Sequence, residues 1–140
     1  MKLFLKFFIT FIFINTQYVY SEVYKVDNLE LQNLIVSEVP LIDIRTKEEW
    51  LSTGVIKNSH LITFFDEYGN YNVDEWEEKL LKIVNKSDPF ILICRSGSRT
   101  SIISNYLSNS RDYLKVYDVK KGIKSWISAG NKTFVPKNIN

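Results

Sequence analysis

The sequence predicts an α/β domain, a parallel β-sheet covered by helices on both faces. Three observations point to it. Short β-branched and aromatic runs alternate with longer stretches of helical spacing along residues 23–130. Apolar residues make up 45% of the 140 and charged residues 24%, the balance of one soluble domain with a real core. Only five glycines and three prolines occur, too few for long structureless segments. In this fold class, sites form beyond the C-terminal ends of the strands. The residues that follow each strand therefore carry the functional reading.

Residues 1–21 stand apart. Lys2 and Lys6 precede and open an apolar run, Phe7 to Ile14, followed by polar Asn15, Thr16 and Gln17 and then Val19-Tyr20-Ser21. A basic start, a short apolar middle and a small residue at the exit form the layout of a secretory signal peptide, cleaved after Ser21. The run is too short for a bilayer, which takes about 20 apolar residues. An uncleaved membrane anchor is the other reading. No cysteine near the exit supports a lipidated N-terminus. The expected division is 1–21 signal peptide and 22–140 folded domain, placed in the periplasm or secreted. Eighteen basic residues face sixteen acidic ones, and removing Lys2 and Lys6 leaves sixteen of each. The sequence pI of 8.6 partly reflects the leader. A formally neutral domain gives no argument for nucleic acid, and membrane contact is expected only through the signal peptide.

Val23 to Val26 is the first strand candidate. Asp27 caps a helix to about Val36, with Glu30 in its first turn. Pro40 introduces a buried strand, Leu41 to Arg45, in which Asp43 and Arg45 lie two apart and project to one side. Thr46 caps a short helix, Lys47 to Ser52, with Glu49 at the capping-box position and Gly54 as its stop. A short strand lies around His60 to Ile62. A loop from Phe64 to Asn72, turning at Gly69-Asn70, leads to a helix from Val73 to about Val84. That helix has acidic residues early and lysines late, as its dipole favours. The next strand is Phe90 to Ile93. A helix follows the Cys94 loop, opened by Thr100 and running to about Ser108. Val116 to Val119 is a strand, and Ile123 to Ser128 the last helix. The tail from Lys132 is expected to fray. Trp76 and Trp126 fall within apolar stripes and are expected in the core. Tyr68 and Tyr71 are surface aromatics or walls of a pocket.

The chemistry gathers at Phe90 to Ser101. The apolar run Phe90-Ile91-Leu92-Ile93 delivers the only cysteine, Cys94, followed by Arg95-Ser96-Gly97-Ser98-Arg99-Thr100. A single cysteine excludes an internal disulfide. It leaves a core residue, an intermolecular partner or a reactive thiol. A five-residue loop between strand and helix can curl its N–H groups inward, and Gly97 tolerates the dihedrals this needs. The helix N-terminus and the two arginines add positive charge, which favours a thiolate. The same cradle suits an anion such as a thiosulfonate or a persulfide. Arg99, just before the helix, is the stronger choice for a role at the loop; its other reading is a salt bridge that shapes the loop. Arg95 is either a site residue or a solvated charge.

Cys94 to Thr100 resembles the active-site loop of rhodanese-type sulfurtransferases, Cys-x-x-Gly-x-Arg-Ser/Thr. Leu41 to Trp50 resembles that family's first signature, Gly54 to Ser59 its Gly-His-Ile-x-Gly-Ala segment, and Val119 to Gly130 its second signature. The likeness spans about residues 23–130. It implies a rhodanese domain with a central five-stranded parallel sheet and helices on both faces. It implies Cys94 as the nucleophile that takes sulfur from a small anionic donor such as thiosulfate and passes it, as a persulfide, to a thiol or cyanide. The loop residues Arg95, Ser96, Gly97, Ser98, Arg99 and Thr100 would bind the substrate, and Asp43 and Arg45 would be structural supports. No metal and no organic cofactor are implied. Rhodanese-like phosphatases and arsenate reductases carry one more residue between Cys and Arg. The four residues between Cys94 and Arg99 therefore favour sulfur.

Some positions depart from the family pattern. Val55, Asn58 and Ser59 replace the usual His, Gly and Ala, and Lys121 stands where a Gly is common. Arg45 is able to pair with Glu49, four residues on. His60, the only histidine, pairs with Cys94 if the strand ends bring them together, and is otherwise a partly buried strand residue. Two further functions stay open beside the enzyme: a persulfide carrier that serves a partner protein, and a Cys-dependent phosphatase or reductase.

Overall fold

The computed structural model describes residues 20–137 and 139. The expected leader lies almost wholly outside these residues. Among them, no helix is long and apolar enough to cross a membrane.

Five strands and five helices alternate: β1 (Glu22–Val26), α1 (Asn28–Val36), β2 (Leu41–Asp43), α2 (Lys47–Thr53), β3 (His60–Leu61), α3 (Val73–Leu80), β4 (Phe90–Ile93), α4 (Ser98–Ser110), β5 (Lys115–Val119) and α5 (Gly122–Ser128). The strands form one sheet in the order β1-β5-β4-β2-β3, and every pairing is parallel. This is the expected α/β fold. The most apolar strands, β2 and β4, lie in the interior of the sheet, where both of their faces are buried.

Alternation along β4 divides the core. Phe90 and Leu92 pack on one face with Ile42, Trp76, Leu80, Ile103 and Leu107, beneath α3 and α4. Ile91 and Ile93 pack on the other with Leu31, Leu41, Val119, Ile123 and Trp126, beneath α1 and α5. Trp76 and Trp126 are both buried, as their spacing predicts, and each indole N–H finds a carbonyl, Ile62 at 3.0 Å and Lys132 at 3.0 Å.

The helix starts follow their caps. The Asp27 carboxylate accepts the N–H groups of Leu29 and Glu30, while Glu30 accepts the N–H of Asp27. Thr46 and Glu49 form the same reciprocal box at α2. Each box satisfies donors that the first helical turn leaves free.

Boundaries differ from expectation in a few places. β2 ends at Asp43, two residues before the expected end at Arg45. α3 closes at Leu80 and continues as turns, although Val84 stays buried. α4 starts at Ser98, so Arg99 and Thr100 belong to its first turn. The tail is not frayed at Phe134. Its N–H and C=O exchange 2.9 Å bonds with Val55, an antiparallel bridge across the mouth of α2. A tail that bonds both Val55 and Trp126 has contacts its polar composition does not reveal.

Candidate functional site

Cys94 follows β4 at the C-terminal edge of the sheet, and its side chain is buried. The Sγ accepts the N–H of Gly97 at 3.1 Å, and the Thr100 hydroxyl lies 3.5 Å away. Gly97 has φ 91°, and a Cβ there would sit 2.9 Å from the Lys121 nitrogen. Glycine is thus required twice, for the left-handed turn and for close approach of the β5–α5 connection. The turn folds the loop back so that a backbone donor meets the sulfur. Ser101 makes the first helical bond of α4, to the Gly97 carbonyl at 3.1 Å. The N–H groups of Ser98, Arg99 and Thr100 precede it and have no acceptor within the helix. Those donors and the helix dipole make the loop a place that favours negative charge.

The loop rests on α5. The Ile123 N–H donates to the Cys94 carbonyl at 2.8 Å, and the Lys124 N–H to the Arg95 carbonyl at 3.1 Å. Gly122 makes this possible: a Cβ there would fall 2.3 Å from the Cys94 carbonyl oxygen. Just before it, Lys121 adopts φ 59° with an ordinary side chain.

Arg99 reaches away from the loop. Its Nη1 and Nη2 clasp both oxygens of Glu49 on α2, at 2.9 and 2.6 Å. Burial pushes the Glu49 carboxyl up, but the Arg99 bonds, the Thr46 N–H and the charges of Arg99 and Arg45 outweigh it and hold the group below its ordinary range. The Arg99 guanidinium is raised correspondingly, first by its bonds to Glu49. Of its two readings, the salt bridge that shapes the loop is the one the geometry contains.

No ion pair forms between Arg45 and Glu49. Arg45 is almost wholly enclosed and turns onto Asp43, Nε at 2.9 Å and Nη2 at 2.7 Å. Its remaining donors meet the Thr53 hydroxyl at 2.7 Å and the Gly54 carbonyl at 2.8 Å. A buried guanidinium needs a carboxylate that is equally desolvated, and Asp43, fully buried, is that partner. Arg45 thereby ties the end of β2 to the C-terminal end of α2.

His60 does not approach Cys94. It opens β3, level with Ile42, and Ile42 is level with Leu92 on β4. That places it two strands, about 10 Å, to the side and before the strand ends. Arg95, Ser96 and Ser98 are exposed on the rim. Tyr71 stacks on Phe64 at 5.6 Å and walls a small apolar cleft against α4, while Tyr68 is free in solvent.

One cluster escaped the sequence reading. The Lys25 ammonium on β1 bonds the Ser101 hydroxyl at 2.8 Å and also pairs with Asp118, buried on β5. It clamps the first turn of α4 to the sheet. The available signal was Asp118 itself, a charge inside the apolar run Val116 to Val119.

The rhodanese-like domain family matches residues 27–129, and the chain belongs to that family. It is 34% identical over 88 residues to an uncharacterised protein of Rickettsia prowazekii, covering 60% of this chain and 68% of that one. It is 27% identical over 124 residues to the provisionally named thiosulfate sulfurtransferase SseA of Mycobacterium tuberculosis, covering 73% of this chain and 39% of the relative. A rhodanese-related protein of Thermoplasma volcanium superposes with a TM-score of 0.62 at 26% identity, covering 81% of this chain and 99% of that structure.

Proposed function

We propose that the chain is a sulfurtransferase that carries sulfane sulfur on Cys94. The observation that supports it most is the bond from the Gly97 N–H to the Cys94 sulfur, at the mouth of a helix whose first N–H groups are free. The thiolate attacks the outer sulfur of a donor such as thiosulfate. The new S–S bond forms as the old one breaks, and sulfite leaves with the electron pair. The loop N–H groups stabilise the persulfide and the charge in transit. A thiol or cyanide then attacks the outer sulfur, and Cys94 leaves as thiolate. With a thiolate or cyanide as the attacking species no proton need move, which suits a site where His60 stands apart. The buried sulfur favours small anionic donors. The name of the mycobacterial relative is consistent with this class. The N-terminal pattern supports export and action outside the cytoplasm.

The test is to incubate residues 22–140 with thiosulfate and cyanide and measure thiocyanate, alongside the intact mass. Turnover with a one-sulfur mass gain on Cys94, both lost in Cys94→Ser, is the expected result. A mass gain without turnover would identify a carrier instead. Phosphate release from a phosphoester with no sulfur chemistry would sink both readings.

A further inference from the structure

We propose that the open edge of β3 binds an acidic, extended segment of a partner protein, which adds to the sheet as a further strand. β3 is the last strand of the sheet and has β2 on one side only. The N–H groups of Ile62 and Phe64 donate to the carbonyls of Asp43 and Ile44, at the end of β2, at 3.1 Å each. Backbone groups alternate sides along a strand, so the N–H and C=O of Leu61 and Thr63 face away from β2. A cavity of about 560 Å³ lies along this outer side, between α2 and α3. That volume suits a short stretch of chain rather than a single oxyanion.

The cavity walls carry one sign of charge. Lys47 on α2, Lys79 on α3, Lys82 just beyond it and His60 line the cavity, and among the described residues no carboxylate does. All four are exposed, and among the described residues none of them is in an ion pair. Lys47 gives its ammonium instead to a main-chain carbonyl, that of Ile139, at 2.7 Å. The cavity thus already takes one peptide carbonyl, from the chain's own tail. Trp50 adds a further donor. It lines the same cavity, and its indole N–H is buried with no acceptor among the described residues. A buried donor without a partner costs stability, which an acceptor reaching it from the cavity recovers. A second copy of this chain is disfavoured at the edge, because lysines would meet lysines. A segment with acidic side chains gains from those lysines while its backbone bonds Leu61 and Thr63. Main-chain bonds then supply affinity, and charge selects the partner. The edge lies two strands from β4, so this binding and the chemistry of Cys94 use different surfaces.

The probe is an end-blocked, fluorescein-labelled hexapeptide of alternating glutamate and valine, followed by polarisation and by the amide NMR spectrum of the protein. Saturable binding that shifts the Leu61 and Thr63 amides is the expected result. Lys79→Glu with Lys82→Glu should weaken it by roughly tenfold or more, since attraction becomes repulsion. Both lysines are exposed, so this variant keeps the fold. The same peptide methylated at every backbone nitrogen keeps its charges and loses its main-chain donors; it should bind roughly tenfold more weakly. Cys94→Ser should bind as the parent does, and loss there would place the peptide at the thiol loop and overturn the proposal. Equal binding of the methylated peptide, or its parent's displacement by equimolar inorganic phosphate, would reduce the edge to a small-anion site and overturn it too. Binding that appears only after residues 136–140 are removed would make the tail the occupant, again against the proposal. No saturable binding to the parent protein removes it outright, and none of these outcomes touches the sulfurtransferase reading.

Discussion

Single residues show where the chain departs from its family at a physical cost. Lys121 and Asn58 both occupy positions where glycine is usual, and both have positive φ, 59° and 64°. Asparagine tolerates the left-handed region, whereas lysine carries a Cβ against its carbonyl. Lys121→Gly is therefore expected to stabilise the domain by about 1 kcal/mol, a rise of some degrees in Tm by calorimetry. No change or a fall would show that the backbone at Lys121 is unstrained. The pairing of Arg45 with Asp43 could not be read from spacing. Asp43 and Glu49 both lie within reach of Arg45 along the chain. Burial chose between them, and burial is a property of the assembled sheet.

At the scale of elements, Glu49 joins two helices. It completes the capping box of α2 through the Thr46 N–H at 3.1 Å and holds Arg99 in the first turn of α4. The capping box was legible as Thr-x-x-Glu; the partner 50 residues away was not. The Glu49 carboxyl is depressed in the folded state, so its contribution is fully present above the unfolded value, about 4.3, and is lost as pH falls through the folded value. Glu49→Gln should cost on the order of 2 kcal/mol at pH 7, with the difference from the parent vanishing in acid. Urea unfolding at a series of pH values measures this, and a difference independent of pH would mean that the ion pair contributes nothing. Gly122→Ala tests the seat of the loop on α5. With a Cβ 2.3 Å from the Cys94 carbonyl, the loop must move. The expected cost is on the order of 3 kcal/mol, with loss of persulfide loading at Cys94. A variant that loads normally would show that the loop holds its shape without α5.

Across the whole molecule, two packed faces and a returning tail enclose the sheet. The tail bonds Val55 through Phe134 and covers the Trp126 N–H through Lys132. Deleting residues 132–140 is expected to remove about 2 kcal/mol and to expose the indole of Trp126. Denaturant unfolding gives the first quantity and a red-shifted tryptophan emission the second. An unchanged midpoint would return the tail to the frayed state its composition suggests. The alternation of strand and helix, the order of the caps and the apolar stripes were all readable, because each depends on residues close in sequence. The strand order was not readable from those local patterns, since it depends on which crossover each helix makes.

By itself the sequence determined the fold class, the helix caps at Asp27 and Thr46, and the position of one thiol at a strand end before a glycine turn. These are local matters of periodicity, hydrogen-bond donors and backbone freedom. Only the tertiary structure decided that Arg99 belongs to Glu49, that Arg45 belongs to Asp43, that His60 stands apart from Cys94, and that Lys25 clamps α4 through Ser101. Each of these is a choice among charged or polar groups equally available in the chain. It is settled by which of them the folded sheet and helices bring together; for Arg45 and Asp43 burial also decides, because a desolvated charge must take the partner that is desolvated beside it.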